Sequence, residues 1–141
     1  MMRALVQDLS STATIPGELL AQINRGLTGI FKQSGATMFA TAFYLVADVA
    51  KGELRYSSAA HPDPMHLRRR TGEVGRLDSD PGHKKGPALG LFENAAFPTW
   101  SRKMETGDLI ALFTDGLIEA ESPDQRNFTH EELTAALSLY F

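Results

Sequence analysis

The chain contains no cysteine among its 141 residues. Disulfides, thiolate catalysis and cysteine-ligated zinc are therefore excluded, and the composition suits a reducing compartment. A surplus of basic charge is missing too: 14 Lys and Arg stand against 17 Asp and Glu, a formal net charge of −3. A nucleic-acid grip needs a clustered basic surface, and this balance argues against one. The two basic clusters, Arg68-Arg69-Arg70 and Lys84-Lys85, read as solvated loop charge. No apolar run approaches the roughly 20 residues that a membrane helix needs. The opening Met1-Met2-Arg3-Ala4-Leu5-Val6 reaches Gln7-Asp8 without the apolar core of a signal peptide. The expected location is the cytoplasm.

What is present reads as one soluble globular domain, with 43% apolar and 22% charged residues. Residues 1–10 have the pattern of a helix end. Pro16 suits the first position of a second helix. Leu19, Leu20, Ile23, Leu27, Ile30 and Phe31 then recur at helical steps over about four turns, and Gly35 marks the exit. Met38 to Val49 is rich in Phe, Thr, Tyr and Val and apolar on both faces, which predicts a central strand. Ala50-Lys51-Gly52 turns the chain into a partner strand, Glu53 to Ala60, which His61-Pro62-Asp63-Pro64 breaks. Met65 to Arg70 and Val74 to Leu77 predict a hairpin around Thr71-Gly72. Asp78 to Pro87 reads as a loop. Phe97 to Met104 and Leu109 to Phe113 read as strands joined by the tight turn Glu105-Thr106-Gly107-Asp108. A short helix after Asp115 and a loop at Ser122 to Asn127 follow. Thr129 and Glu132 have capping-box spacing and open a last helix carrying Leu133, Ala136, Leu137 and Tyr140. Runs of hairpins flanked by helices imply an α+β layered domain.

The segment Phe113-Thr114-Asp115-Gly116-Leu117-Ile118-Glu119-Ala120 carries the sharpest chemical signal. An apolar run ends abruptly in a carboxylate and a glycine. A buried strand that delivers Asp115 to its rim would present oxygen to a hard cation such as Mg²⁺ or Mn²⁺. Gly116 would let the backbone turn sharply. The plainer reading of the same residues is a strand followed by an Asp-Gly turn. Glu119 lies one helical turn past Asp115, so both could face one side, or it is a surface glutamate. His61 either lines the site or holds a turn. His66, His83 and His130 lack mutual metal spacing and read as surface or loop. Asp108 reads as a turn residue bonding its own backbone, Asp48 and Glu53 as hairpin-turn chemistry, and Trp100 as core or half-buried.

Four pieces stand in register: Phe39-Ala40-Thr41-Ala42-Phe43-Tyr44-Leu45 with Asp48 and Gly52-Glu53-Leu54-Arg55-Tyr56; Ser58-Ala59-Ala60-His61-Pro62-Asp63-Pro64; Leu89-Gly90-Leu91; and Thr106-Gly107-Asp108 with Thr114-Asp115-Gly116 and Glu119-Ala120. The series resembles the sporulation stage II protein E and sigma-B-regulator branch of the metal-dependent (PPM, type 2C) serine/threonine phosphatases, over almost the whole chain. The resemblance implies a layered antiparallel β-sandwich flanked by helices. It implies two Mn²⁺ or Mg²⁺ ions that polarise a water attacking phosphate on Ser or Thr, with no side chain as nucleophile. Asp115 matches a metal-ligating carboxylate of the family and Gly116 the glycine beside it; by position alone, Glu119 and His61 could stand behind the ligands. The implied substrate is a phosphorylated regulatory protein of the anti-sigma-factor-antagonist type.

The departures shape the expectation equally. The family's Gly-Asp-Val-Ser-Gly-His-Gly-like first metal motif and its closing Asp-Asp pair are absent, and Ala60 stands where glycine is usual. The expectation is a single domain over 1–141 that lacks the N-terminal metal-motif strand and the C-terminal Asp-Asp strand. With one carboxylate ligand of its own, it would have little or no metal-dependent activity. Bare sheet edges would favour a homodimer. A non-catalytic regulatory module of the same fold is the alternative. A third reading is an unrelated α+β domain in which Asp115-Gly116 is only a turn.

Overall fold

The structure, a computed structural model, describes residues 13–35, 38–77, 82–119 and 128–139. The helix expected at 1–10 and the loop expected at 122–127 lie outside the described residues, as do 78–81 of the expected 78–87 loop. The fold is α+β. Its described elements are α1 (Pro16–Ser34), β1 (Ala42–Asp48), β2 (Glu53–Ala59), β3 (Met65–Arg68), β4 (Glu73–Arg76), β5 (Trp100–Lys103), β6 (Leu109–Ala111), α2 (Asp115–Ile118) and α3 (His130–Ser138). The strands form two antiparallel three-stranded sheets, ordered β1-β2-β5 and β4-β3-β6. The chain divides into two compact units, Met1–His61 with Lys84–Lys103, and Pro62–His83 with Met104–Phe141. No helix among the described residues is long and apolar enough to cross a membrane.

In the first unit, α1 starts on Pro16, whose missing N–H costs nothing where no helical acceptor exists. It runs 19 residues, longer than expected, and stops at Gly35, which takes the left-handed backbone at φ 66°. The predicted stripe is real: Leu19, Leu20, Ile23 and Leu27 are buried against Ala59, Leu89 and Phe97. Fully burying each such side chain stabilises by about 1.5–3 kcal/mol. One polar residue interrupts the stripe. Asn24 is wholly buried, and its Nδ2 donates to the Phe92 carbonyl at 2.7 Å while its Oδ1 accepts from the Gly90 N–H at 2.8 Å. A buried amide is tolerable because it is hydrogen-bonded, and here its bonds tie the 90–92 segment to the helix.

The central strand is β2, not the 38–49 run. β2 pairs with β1 from Ala42↔Ala59 to Asp48↔Glu53 and with β5 from Glu53↔Lys103 to Tyr56↔Trp100. The apolar character of both β1 faces has a different cause. Ala42 and Tyr44 pack on the helix-side core, while Phe43 stacks on Tyr56 with ring centroids 5.5 Å apart. Met38 and Phe39 precede the strand and are exposed. Asp48 does serve the hairpin turn, accepting from the Lys51 N–H at 3.1 Å. Trp100 is half-buried, and its Nε1 donates to the Lys84 carbonyl at 3.2 Å.

The second unit holds the hairpin β3–β4, with β6 on the other side of β3. Sequence neighbours β5 and β6 therefore belong to different sheets, and the turn between them is not a hairpin. The capping box of α3 is complete: the Thr129 Oγ1 accepts from the Glu132 N–H at 3.1 Å, and the Glu132 carboxylate accepts from the Thr129 N–H at 2.9 Å. Leu133 of this helix packs with Met65 and Leu67, and Ala111 and Phe113 join the same cluster.

Close packing in the first unit leaves no room for a side chain at several glycines, among them Gly86. The Gly86 N–H donates to the Ser58 carbonyl at 2.9 Å, and its carbonyl accepts from the Ala60 N–H at 3.0 Å. A Cβ at Gly86 would lie 2.2 Å from Cδ1 of the buried Phe97 ring. Gly86→Ala is expected to destabilise the protein by about 1–3 kcal/mol through overpacking. Denaturant unfolding of the variant against the parent checks this, and unchanged stability contradicts it.

Candidate functional site

The carboxylate singled out above sits on a different mount from the one expected. β6 ends at Ala111, so Asp115 does not stand on a strand rim. The ladder stops because its partner does. Met65 opposes Ala111, and the residue before Met65 is Pro64, which has no N–H to donate. Beyond Ala111 the side chain of Phe113 packs into the cluster around Leu133, with its ring edge-on to His130 at 5.8 Å. Thr114 is extended, and Asp115 is the first residue of α2. An acidic residue in a first helical turn is favourably placed.

Asp115 is exposed. Its Oδ1 accepts from the Gly116 N–H at 3.1 Å, and its carbonyl accepts from the Glu119 N–H at 2.8 Å. Gly116 does not supply a sharp turn. It lies inside α2 and is not among the positive-φ glycines. A Cβ there would meet only the Thr114 Oγ1, at an ordinary 3.6 Å. Glu119 caps the C-terminal end of α2, so its backbone rather than its carboxylate is what the structure joins to Asp115. His61 belongs to the other unit. It follows Ala60, whose φ of 53° is the left-handed conformation that favours glycine, at a cost of roughly 1–2 kcal/mol for a residue with a Cβ. The His61 ring lies 6.2 Å from that of Phe43, and its carbonyl accepts from the Lys85 Nζ at 3.2 Å. The structure thus joins Asp115, Gly116 and Glu119 in one unit and sets His61 in the other.

Two residues given minor roles by sequence prove central. His66 is not a surface histidine: it is buried in β3. Its Nε2 lies 3.0 Å from the Asp108 Oδ2, with the two side chains 6% and 5% exposed. Asp108 does bond its own turn, through the Glu105 N–H at 3.0 Å, but it also accepts from the Arg69 N–H at 2.9 Å. Burial acts to raise the pKa of the Asp108 carboxyl, yet the hydrogen bonds from Glu105, His66 and Arg69 outweigh it and hold the group below the usual aspartate range. An ionised carboxylate only accepts, so the His66 Nε2 carries the proton. His130 is also half-buried, beside Phe113. Nothing in the sequence signals the burial of His66, since alternation with Met65 and Leu67 sends it to the opposite face of β3.

Among the described residues, no group of three or more His, Asp or Glu is gathered closely enough to enclose a metal ion. A hard divalent cation takes about six oxygen ligands. Asp115 fits one such position: its carboxylate is open to solvent, and its one hydrogen bond among the described residues comes from its neighbour.

Comparison with known proteins places this geometry in a frame. A profile of the family described as Stage II sporulation protein E (SpoIIE) matches residues 1–140. Protein IcfG of Synechocystis sp. is 35% identical over 104 residues, 74% of this chain and 16% of that protein. Phosphoserine phosphatase RsbU of Bacillus subtilis is 26% identical over 144 residues, 96% of this chain and 40% of that protein. The crystal structure of the RsbU and RsbW domains of Rv1364c from Mycobacterium tuberculosis superposes with a TM-score of 0.70 at 26% identity, over 99% of this chain and 35% of that one. The chain thus spans less than half the length of each of these proteins.

Two outcomes follow from the geometry. Gly116→Ala is expected to raise stability by about 0.5–1 kcal/mol, because the position is helical and has room; a loss of stability in thermal unfolding would contradict the placement. The Asp108 carboxyl has a depressed folded pKa, so its stabilisation is full above the ordinary aspartate pKa of about 4 and is lost as pH falls through the lower folded value. Stability measured by denaturant between neutral and strongly acid pH should therefore drop more steeply in the parent than in Asp108→Asn. Parallel profiles would refute the assignment.

Proposed function

We propose, for a chain that belongs to the Stage II sporulation protein E (SpoIIE) family, that it is a protein serine/threonine phosphatase domain and that Asp115 is one ligand of a catalytic Mn²⁺ or Mg²⁺ ion. The observation that carries the reading is the solvent-open Asp115 carboxylate, mounted on the first turn of α2 just after Phe113, which packs on the Leu133 cluster. A divalent cation, when bound, supplies Lewis acidity toward water and phosphoryl oxygen. The chain's own part is to hold and aim the carboxylate. The Gly116 N–H holds Oδ1 of the exposed side chain, and the Glu119 N–H closes the single turn that carries both.

The substrate in this reading is phosphoserine or phosphothreonine on a regulatory protein of the anti-sigma-factor-antagonist type. Similarity to a protein named phosphoserine phosphatase RsbU supports that choice. One observation favours a second reading, a non-catalytic module of the same fold: the described residues gather no second or third ligand around Asp115. With a single carboxylate, the chain alone is expected to be a poor catalyst.

Calorimetric titration with Mn²⁺, paired with hydrolysis of p-nitrophenyl phosphate, tests both readings. The expected result is Mn²⁺ binding that Asp115→Ala abolishes, with turnover close to the uncatalysed rate. Binding indifferent to Asp115→Ala removes this carboxylate from the proposal, and the absence of any binding favours the non-catalytic module. Robust turnover lost in Asp115→Ala would show a far more complete site than one carboxylate.

A further inference from the structure

We propose that the buried Asp108–His66 pair is a positioning device that sets the register of β6 on β3 and thereby the place of Asp115. The inference rests on the reading of Asp115 as the functional carboxylate.

β6 is paired over only three positions, Leu67↔Leu109, His66↔Ile110 and Met65↔Ala111. Register is normally specified by alternation of apolar and polar side chains, since a slip of one residue exchanges the faces. Here that signal is missing. Leu109-Ile110-Ala111-Leu112-Phe113 is apolar at every position, and Leu109 and Leu112 are about half exposed. A slipped strand would still put an apolar residue on each face. Phe113 fills the cluster at the far end, but Leu112 beside it could take an apolar socket too.

Asp108 supplies the missing specificity. It directly precedes β6 and is bonded to β3 at two places: to the His66 side chain inside the strand, and to the Arg69 N–H just past its end. The Glu105 N–H adds a third donor from the turn. A slip of one residue would carry the carboxylate about 3.3 Å along the strand, beyond hydrogen-bond reach of the His66 and Arg69 donors; the Glu105 N–H belongs to the same turn and would move with it. It would leave the Asp108 carboxylate and the His66 Nε2, whose side chains are 5% and 6% exposed, without each other. Asparagine cannot replace it: an amide offers one oxygen and adds a donor of its own, whereas three donors converge here. Gly107 fits the same account. Its φ is 91°, and a Cβ there would touch the Arg69 side chain at 3.0 Å.

Amide hydrogen exchange by NMR on the 141-residue chain tests the proposal, with His66→Leu, Asp108→Ala and, as control, Glu105→Ala. The Glu105 side chain pairs with Arg70 at an exposed position, and such pairs contribute little. The expected result is that the amides of Ile110, Gly116 and Glu119 exchange about tenfold faster in His66→Leu and Asp108→Ala, with shifted resonances, while α1 and α3 stay within about twofold. Glu105→Ala should change none of them by more than about twofold. If Asp108→Ala unfolds the second unit, His66→Leu decides alone, because it leaves the Glu105 and Arg69 bonds in place. Acceleration spread evenly over β3, β4 and α3, or no local change at 110–119, overturns the proposal. Free Mn²⁺ separates the two readings. If Asp115 binds it, paramagnetic broadening of the Gly116 amide should need about fivefold more Mn²⁺ in His66→Leu than in the parent. If the parent's Gly116 is not broadened, the metal reading fails, and the exchange rates still judge the positioning role.

Discussion

Three N–H groups from three separate places converge on the carboxylate of Asp108, and the seating of β6 on β3 depends on it. The Glu105 N–H shapes the turn, the Arg69 N–H fixes the exit of β3, and the His66 Nε2 reaches out from within the strand. A single such bond contributes only about 0.5–1.5 kcal/mol net, or somewhat more to a charged acceptor. The larger effect is the alternative at His66: without the carboxylate its buried Nε2 donor would lack an acceptor, at about 1–3 kcal/mol, whereas the Arg69 and Glu105 N–H groups are exposed and could turn to water. The ion pairs nearby work differently. Arg68 with Glu73 and Arg70 with Glu105 are largely exposed, where screening and side-chain entropy leave little net stabilisation.

The first unit follows other physics. An apolar helix stripe lies on small residues of the sheet and on Leu89 and Phe97, so packing volume rather than polar convergence sets its geometry. Gly86 admits the Phe97 ring against the end of β2, and Asn24 converts the one polar break in the stripe into a tie to the 90–92 segment. The two units thus respond differently to change. Volume errors are what the first cannot absorb, and the second is most sensitive to losing an acceptor.

How much was legible in the sequence tracks how local each determinant is. Pro16 and Gly35 bounded the first helix, and Thr129 with Glu132 announced the last, because caps act within a few residues. The hairpin turns at Gly52 and Gly72 were legible for the same reason: both take positive φ. Pairing choices were not. Nothing within β5 or β6 tells that they join different sheets, and an apolar 38–49 run looks central until β2 is seen with a partner on each side. His66 looked like surface because a lone histidine carries no sign of burial, and its partner lies 42 positions away. Gly116 misled for a simple reason: an Asp-Gly pair is read as a turn, whereas here it opens a helical turn. The four-piece register did identify the family, since it relies on order along the chain and needs no pairing.

Asp108 and Asp115 follow and precede a glycine within one short stretch, and composition cannot tell them apart. Their surroundings can. Asp108 is 5% exposed and spends both oxygens on three donors, so no room is left for a ligand. Asp115 is exposed and, among the described residues, takes a single bond, from its own neighbour. A cation approaching Asp115 would displace hydration water and, among the described residues, only the bond from the Gly116 N–H. The same approach to Asp108 would dismantle the contacts that hold β6. A site of this kind needs both halves: one carboxylate left uncommitted so that it can bind, and another fully committed so that the first stays where it is. The division of labour between them is a matter of desolvation and donor count, which chain context decides and residue type does not.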